Sequence, residues 1–226
     1  MQNQLSDKTI LISSIHNEIE KIVNSIVGDI TQQRFKDFIR QSWDEGKILF
    51  NVDECYHPSL ELINTLDKDK LFETAPFYLP HQLPSTSTLL YMKEFAARLV
   101  HDSPHDDKSK DIKFNEYNIE PHYHEVDSII IATSKYKLTS ADFVIHDPRL
   151  EFDTVVRIPF DFASVVCFPR FVNHTLMPSD VGISTLNITD KYIQPHTNNF
   201  SQVATCDFDK AVKMSYYDYQ KLMQAK

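Results

Sequence analysis

The chain has 226 residues, 42% hydrophobic and 24% charged, an ordinary balance for a folded protein of one large or two modest domains. Its 32 acidic against 23 basic side chains give a net charge of −9, which repels nucleic-acid phosphates and anionic membranes, so neither is expected as a partner. Only three glycines occur (Gly28, Gly46 and Gly182), which excludes Gly-rich phosphate loops and most nucleotide-dependent enzymes.

In chain order, residues 7–27 place Ile12, Ile15, Ile19, Ile22 and Val23 at helical spacing, and Gly28 is a plausible stop. Residues 31–47 repeat the pattern with Phe35, Phe38, Ile39 and Trp43. Pro58 can open a third helix carrying Leu60, Leu62 and Ile63. Pro76, Pro80 and Pro84 enforce an irregular segment. The Ser-Thr cluster at 85–88 is read as the cap of a fourth helix, with Leu89, Leu90, Met92, Phe95, Ala96 and Leu99 on one side. The charged run 101–113 reads as a solvated connector, and divides the chain into 1–110 and 111–226.

Beyond the connector the texture is that of strands. Short segments rich in Ile, Val and Phe at 128–133, 142–146, 154–158, 163–168 and 182–188 have turn residues between them, as at Asp147-Pro148. Such spacing without intervening helices predicts a sandwich or small barrel. Residues 215–225 return to a helix, with Tyr216, Tyr219, Leu222 and Met223 on one side. No stretch reaches the ~18–20 apolar residues of a membrane span, and the N-terminus lacks the pattern of a secretion signal. Cys55, Cys167 and Cys206 are too few and scattered for a disulfide framework, so a reducing cytoplasm is the expected location.

The chemistry concentrates in Pro121-His122-Tyr123-His124-Glu125-Val126-Asp127-Ser128. Side chains at i and i+2 of a strand share a face, so a strand here would project His122 and His124 together, as two ligands of one ion. Neutral imidazole suits iron, nickel, copper and zinc. A third histidine, His174, stands in Pro169-Arg170-Phe171-Val172-Asn173-His174; its competing role is that of a satisfied core histidine.

Together the two segments resemble the cupin superfamily. Its first motif has His-x-His followed by a glutamate, and its second has Pro-x-Gly-x-x-His. The departures are specific: Ser128 and Ile129 stand where the family glutamate falls, and Phe171 replaces the turn glycine. With the helical spacing read above, this gives an α+β chain whose region 1–110 is expected to be all-helical. A cupin-like antiparallel β-barrel, the double-stranded β-helix, follows over 111–226 and ends in a short helix. The resemblance also implies one divalent metal held by His122, His124 and His174, Fe(II) foremost, with Zn, Mn, Ni or Cu left open. Glu125 and Asp127 are weaker ligand candidates, because alternation turns them away from the histidine pair unless a bulge intervenes. Tyr123 and Arg170 are candidate catalytic groups near the metal, Arg170 as a clamp for a substrate carboxylate. Ser128, Ile130 and Ala132 are expected to face the interior.

The function implied is a mononuclear non-haem metal oxygenase acting on a small organic substrate with O2. An isomerase or lyase on the same scaffold, or a ligand-binding cupin without catalysis, is the alternative. A 2-oxoglutarate oxygenase is disfavoured, because no arginine follows His174 to grip that cosubstrate. A third class is a partner-binding protein using its N-terminal helices. Cupin relatives often dimerise, so a homodimer is also an expectation.

Overall fold

A computed structural model describes residues 2–65, 86–92, 94–102, 122–134, 141–150, 154–178, 183–190 and 211–225. The Pro76–Pro84 segment, most of the charged connector and Cys206 lie outside the described residues. No described helix is long and apolar enough to cross a membrane.

The N-terminal helices follow the periodicity of the sequence. Helix α1 spans Gln2–Val27, α2 Gln32–Asp44 and α3 His57–Thr65. Thr31 caps α2 by accepting a hydrogen bond from the Arg34 N–H, which satisfies one of the orphan donors of the first turn. Ile19, Ile22, Phe35, Ile39, Leu60 and Ile63 are buried along the inward faces, each contributing roughly 1.5–3 kcal/mol by leaving water.

Among the described residues ten strands make two sheets, giving an α+β architecture. In chain order they are β1 (Leu49–Asn51), β2 (Thr86–Tyr91), β3 (Phe95–Asp102), β4 (Ser128–Ala132), β5 (Ala141–His146), β6 (Val155–Phe160), β7 (Ser164–Phe168), β8 (His174–Pro178), β9 (Ile183–Asp190) and β10 (Val212–Lys213). The first sheet runs β1-β7-β4-β9-β3-β2 with antiparallel neighbours throughout. The second runs β10-β6-β5-β8 and is antiparallel except for the parallel pair of β10 and β6.

The fourth helix expected over 85–99 is corrected: this stretch is the hairpin of β2 and β3. Phe95, Ala97 and Leu99 join the helical core, so alternate residues of β3 face the same way, the period of a strand. The intervening Ala96 and Val100 are buried too, which removes the polar alternation that would have marked a strand in the sequence. Residues 1–110 are therefore not all-helical. The first sheet draws β1, β2 and β3 from before residue 110 and β4, β7 and β9 from after it.

Both faces of the first sheet are covered. Ile129 and Ile131 of β4 with Val165 and Cys167 of β7 pack under the helices. Ile130, Ala132, Val166 and Phe168 point the other way, into a second core shared with Phe143, Ile145, Val156, Ile158, Phe160 and Leu176 of the second sheet. Burial pushes the Cys167 thiol up to about 12, as befits a small apolar residue rather than a nucleophile.

The C-terminal helix α4 (Tyr216–Gln224) is fastened to this second core. Tyr219 is fully buried and donates to Asp147 Oδ2 at 2.5 Å, while Arg149 Nη2 donates to the same oxygen at 2.7 Å and its guanidinium lies 3.6 Å from the Trp43 ring centre. Gly46 sits at φ +69°, and a Cβ there would collide with Met223 Cβ, so α4 approaches the α2–β1 turn at a distance only glycine permits.

Burial alone would raise the Asp147 carboxyl, but the hydrogen bonds from Arg149 and Tyr219 outweigh it and hold the group below the ordinary carboxylate range. A depressed carboxyl contributes stability that is present above its unfolded value and lost as pH falls through its folded one. Denaturation by urea should therefore show the contribution eroding below about pH 4, and Asp147→Asn should flatten that slope. Tyr219→Phe should lower stability at neutral pH by about 1–3 kcal/mol in the same assay.

Candidate metal centre

The first element of the site is a backbone pairing. His122 N–H donates to the His174 carbonyl at 3.0 Å, and His174 N–H donates back to the His122 carbonyl at 2.8 Å. Residues that exchange both bonds stand opposite each other with side chains on one face. Their rings accordingly lie 4.5 Å apart, centre to centre. His122 occupies an isolated bridge rather than a strand, and β4 begins only at Ser128. His124 reaches the same face from the loop between them, and its carbonyl accepts the Phe171 N–H at 2.8 Å.

All three rings converge. His122 Nε2 and His124 Nε2 are 3.2 Å apart, and one ligand atom from each of His122, His124 and His174 falls within 4.8 Å of the others. Metal–nitrogen bonds of ~2.1 Å separate two such nitrogens by about 3.0 Å at right angles and about 3.4 Å at the tetrahedral angle. The 3.2 Å spacing lies between those values.

The outer ring nitrogens decide which lone pairs face inward. His174 Nδ1 lies 2.9 Å from the Val172 carbonyl, which can only accept, so Nδ1 carries the proton. Ser128 Oγ donates to the Val126 carbonyl at 3.3 Å and so accepts from His124 Nδ1 at 2.9 Å. In both residues Nε2 is left as the bare lone pair. His174 Nε2 is buried and has no hydrogen-bond partner, so it is not the satisfied core histidine of the competing account. Burial first, then His122, holds His174 well below the ordinary imidazole value; burial holds His124 down too, with His174, His122 and Arg98 adding to the effect. Neutral imidazole with an inward lone pair is the form that binds a cation.

The other residues singled out in the sequence are placed as follows. Arg170 ties the two histidine-bearing segments: its backbone N–H donates to Asp127 Oδ1 at 3.0 Å and its Nε lies 3.4 Å from the same oxygen. Its Nη2 is 3.8 Å from Asp190, which Lys36 of α2 also approaches at 3.7 Å. Asp127 is thus buried in an ion-pair network and Glu125 is outside the three-histidine group. Tyr123 packs edge-on against Phe171, with ring centres 5.6 Å apart. Phe171 adopts φ +67°, a left-handed conformation that glycine would take freely and that strains a side chain of this size. Ser128, Ile130 and Ala132 lie on the face turned toward the second sheet, Ser128 against His124 and the other two in the second core.

One polar residue escaped the sequence. Arg98 lies on β3, on the face opposite Phe95, Ala97 and Leu99, and its charge acts on the His124 ring. In a helix over 85–99 it would have no such direction; strand alternation places it on the face that Ser128 shares.

No family model matches this chain, and no curated protein matches it. Among solved structures it is similar to oxalate decarboxylase from Bacillus subtilis, studied for its Mn(II) centres. The identity is 14% over 47% of this chain and 25% of that one, with a TM-score of 0.35. A mutant form of the same enzyme gives 13% identity over 53% and 28%, with a TM-score of 0.38. The match thus spans about a quarter of the decarboxylase's length. A likeness this slight leaves family and activity to be argued from the residues themselves.

Two outcomes test this geometry. Asp127→Ala strips Arg170 of its buried partner, and should cost about 1–3 kcal/mol in chemical denaturation. Ser128→Ala frees the His124 ring, and should weaken Zn(II) binding about 10–100-fold in a competition titration while leaving the fold intact by circular dichroism.

Proposed function

We propose that this chain is a mononuclear metal-dependent enzyme acting on a small organic molecule, with a cupin-type barrel formed by its two facing sheets. The observation that carries the proposal is the pair of Nδ1 hydrogen bonds, His174 to the Val172 carbonyl and His124 to Ser128 Oγ, which turn two buried lone pairs toward His122. An interior built only for stability would fill this volume with apolar side chains, as it does a few ångströms away with Phe143 and Phe168, whose rings flank His174.

His122, His124 and His174 would hold one divalent ion. Three neutral donors would leave its charge uncompensated, so that the ion would supply Lewis acidity and, if it is Fe(II), redox chemistry toward O2. Three imidazoles accept Fe(II), Mn(II), Zn(II), Ni(II) or Cu(II), and Fe(II) oxygenation is the chemistry expected of the set. The chain's own residues do the rest. The reciprocal His122–His174 backbone pair fixes two of the rings, Ser128 sets the third, and Phe143 and Phe168 exclude water from one side. The Asp127–Arg170 pair holds the two segments together, a positioning role for Arg170 in place of direct substrate contact. Tyr123, beside Phe171, belongs to the rim of the site.

Protein purified without an affinity tag should contain roughly one equivalent of a transition metal by elemental analysis. His122→Ala and His174→Ala should each lose it, and metal retained by both variants would remove the assignment. Oxygen uptake during turnover supports the oxygenase, whereas turnover under nitrogen assigns a redox-neutral isomerase or lyase. Stoichiometric metal without turnover of any substrate would point to a binding protein.

A further inference from the structure

On the face of the first sheet that meets the second, β4 and β7 contribute Ile130, Ala132, Val166 and Phe168, whereas β9 contributes three polar side chains. Leu186 and Ile188 belong to the helical core, so alternation sends Thr185, Asn187 and Thr189 to the opposite face. There Thr185 Oγ1, Asn187 Oδ1 and Thr189 Oγ1 are buried and make no hydrogen bond. Thr185 is 1% exposed and Thr189 3%. Each such atom costs about 1–3 kcal/mol relative to a satisfied one. Valine would fit the same space without that cost, and Ile130 of β4 and Val166 of β7 occupy this same face.

The stripe begins at the histidines. Thr189 pairs across the sheet with Ser128, the residue that holds His124. Asn187 pairs with Ile130 on one side and with Arg98 on the other. Among the described residues of this face Arg98 is the basic one. It lies about 10 Å across two strands from β4, within reach of its own side chain plus a small ligand. Its planar fork matches a carboxylate through two parallel hydrogen bonds, which a single ammonium cannot do.

We infer that the site takes a small organic carboxylate, gripped by Arg98, lined by Thr185, Asn187 and Thr189, with its other functional group directed at His122, His124 and His174. The direction of that second group rests on the metal-centre proposal; the grip on the carboxylate does not. Arg170, the clamp expected from the sequence, lies instead in the ion-pair network with Asp127 and Asp190.

Calorimetric titration of the full chain tests this, carrying Zn(II) so that binding proceeds without redox turnover. The probes are lactate and malonate, compared with lactamide and malonamide. The acids should bind roughly tenfold or more tightly than their neutral amides, and Arg98→Gln should remove that preference while metal content stays unchanged. Arg98→Lys should recover part of it. Thr189→Val should raise the stability of the unliganded protein and weaken the acids, a pairing that a structural role for the hydroxyl would not produce. Equal affinity for acid and amide, unaltered acid binding in Arg98→Gln, or no binding of either acid would overturn the inference. Should Arg98→Gln not fold, the acid–amide comparison in the wild type and the Arg98→Lys variant still decide. If the wild type holds no metal, the metal proposal fails by itself, and the same titration on the metal-free chain decides the carboxylate question.

Discussion

Two imidazoles are kept in a buried place, uncharged and with their acceptor nitrogens turned toward each other, and much of the molecule serves that constraint. Burial opposes the charged form of His124 and His174, and a proton on either would repel the next ring. The outer nitrogens are already committed, one to the Val172 carbonyl and one to Ser128 Oγ. Of the inner ones, His124 Nε2 meets only the His122 ring and His174 Nε2 has no hydrogen-bond partner, a costly arrangement in a protein interior unless something else supplies one.

The supporting structure can be followed outward from this point. His174 opens β8 and His122 forms a bridge with it, so the two segments are joined by the shortest available backbone link. Asp127 and Arg170 add a second link a few residues along each segment, and Lys36 brings α2 to the same network through Asp190. Cys167 and Ile129, on the side of the sheet away from the histidines, are packed under the helices. The N-terminal helices thus act as the backing of the sheet that carries Ser128.

Much of the β-rich half was legible in the sequence. The strands at 128–132, 141–146, 155–160, 164–168 and 183–190 fall within a few residues of their expected bounds, because runs of Ile, Val and Phe between turn residues have little alternative. Residue type and motif order single out three histidines whose rings converge, although the expected reason, a shared strand, does not hold for His122 and His124. The hairpin of β2 and β3 was read as a helix because both its faces carry apolar residues, which erases the period that separates the two structures. Arg98 disappeared from view with it.

Residue chemistry alone therefore determined which side chains could bind a cation, where the chain is β-rich and that its helices are amphipathic. Those properties depend on neighbours close in sequence. The tertiary structure decided the rest: that His174 meets His122 through the backbone, that Arg170 is joined to Asp127, and that Arg98 and the polar side chains of β9 share one face with Ser128. Each of these depends on strand register between distant segments, and a shift of one residue would turn every one of those side chains to the opposite face.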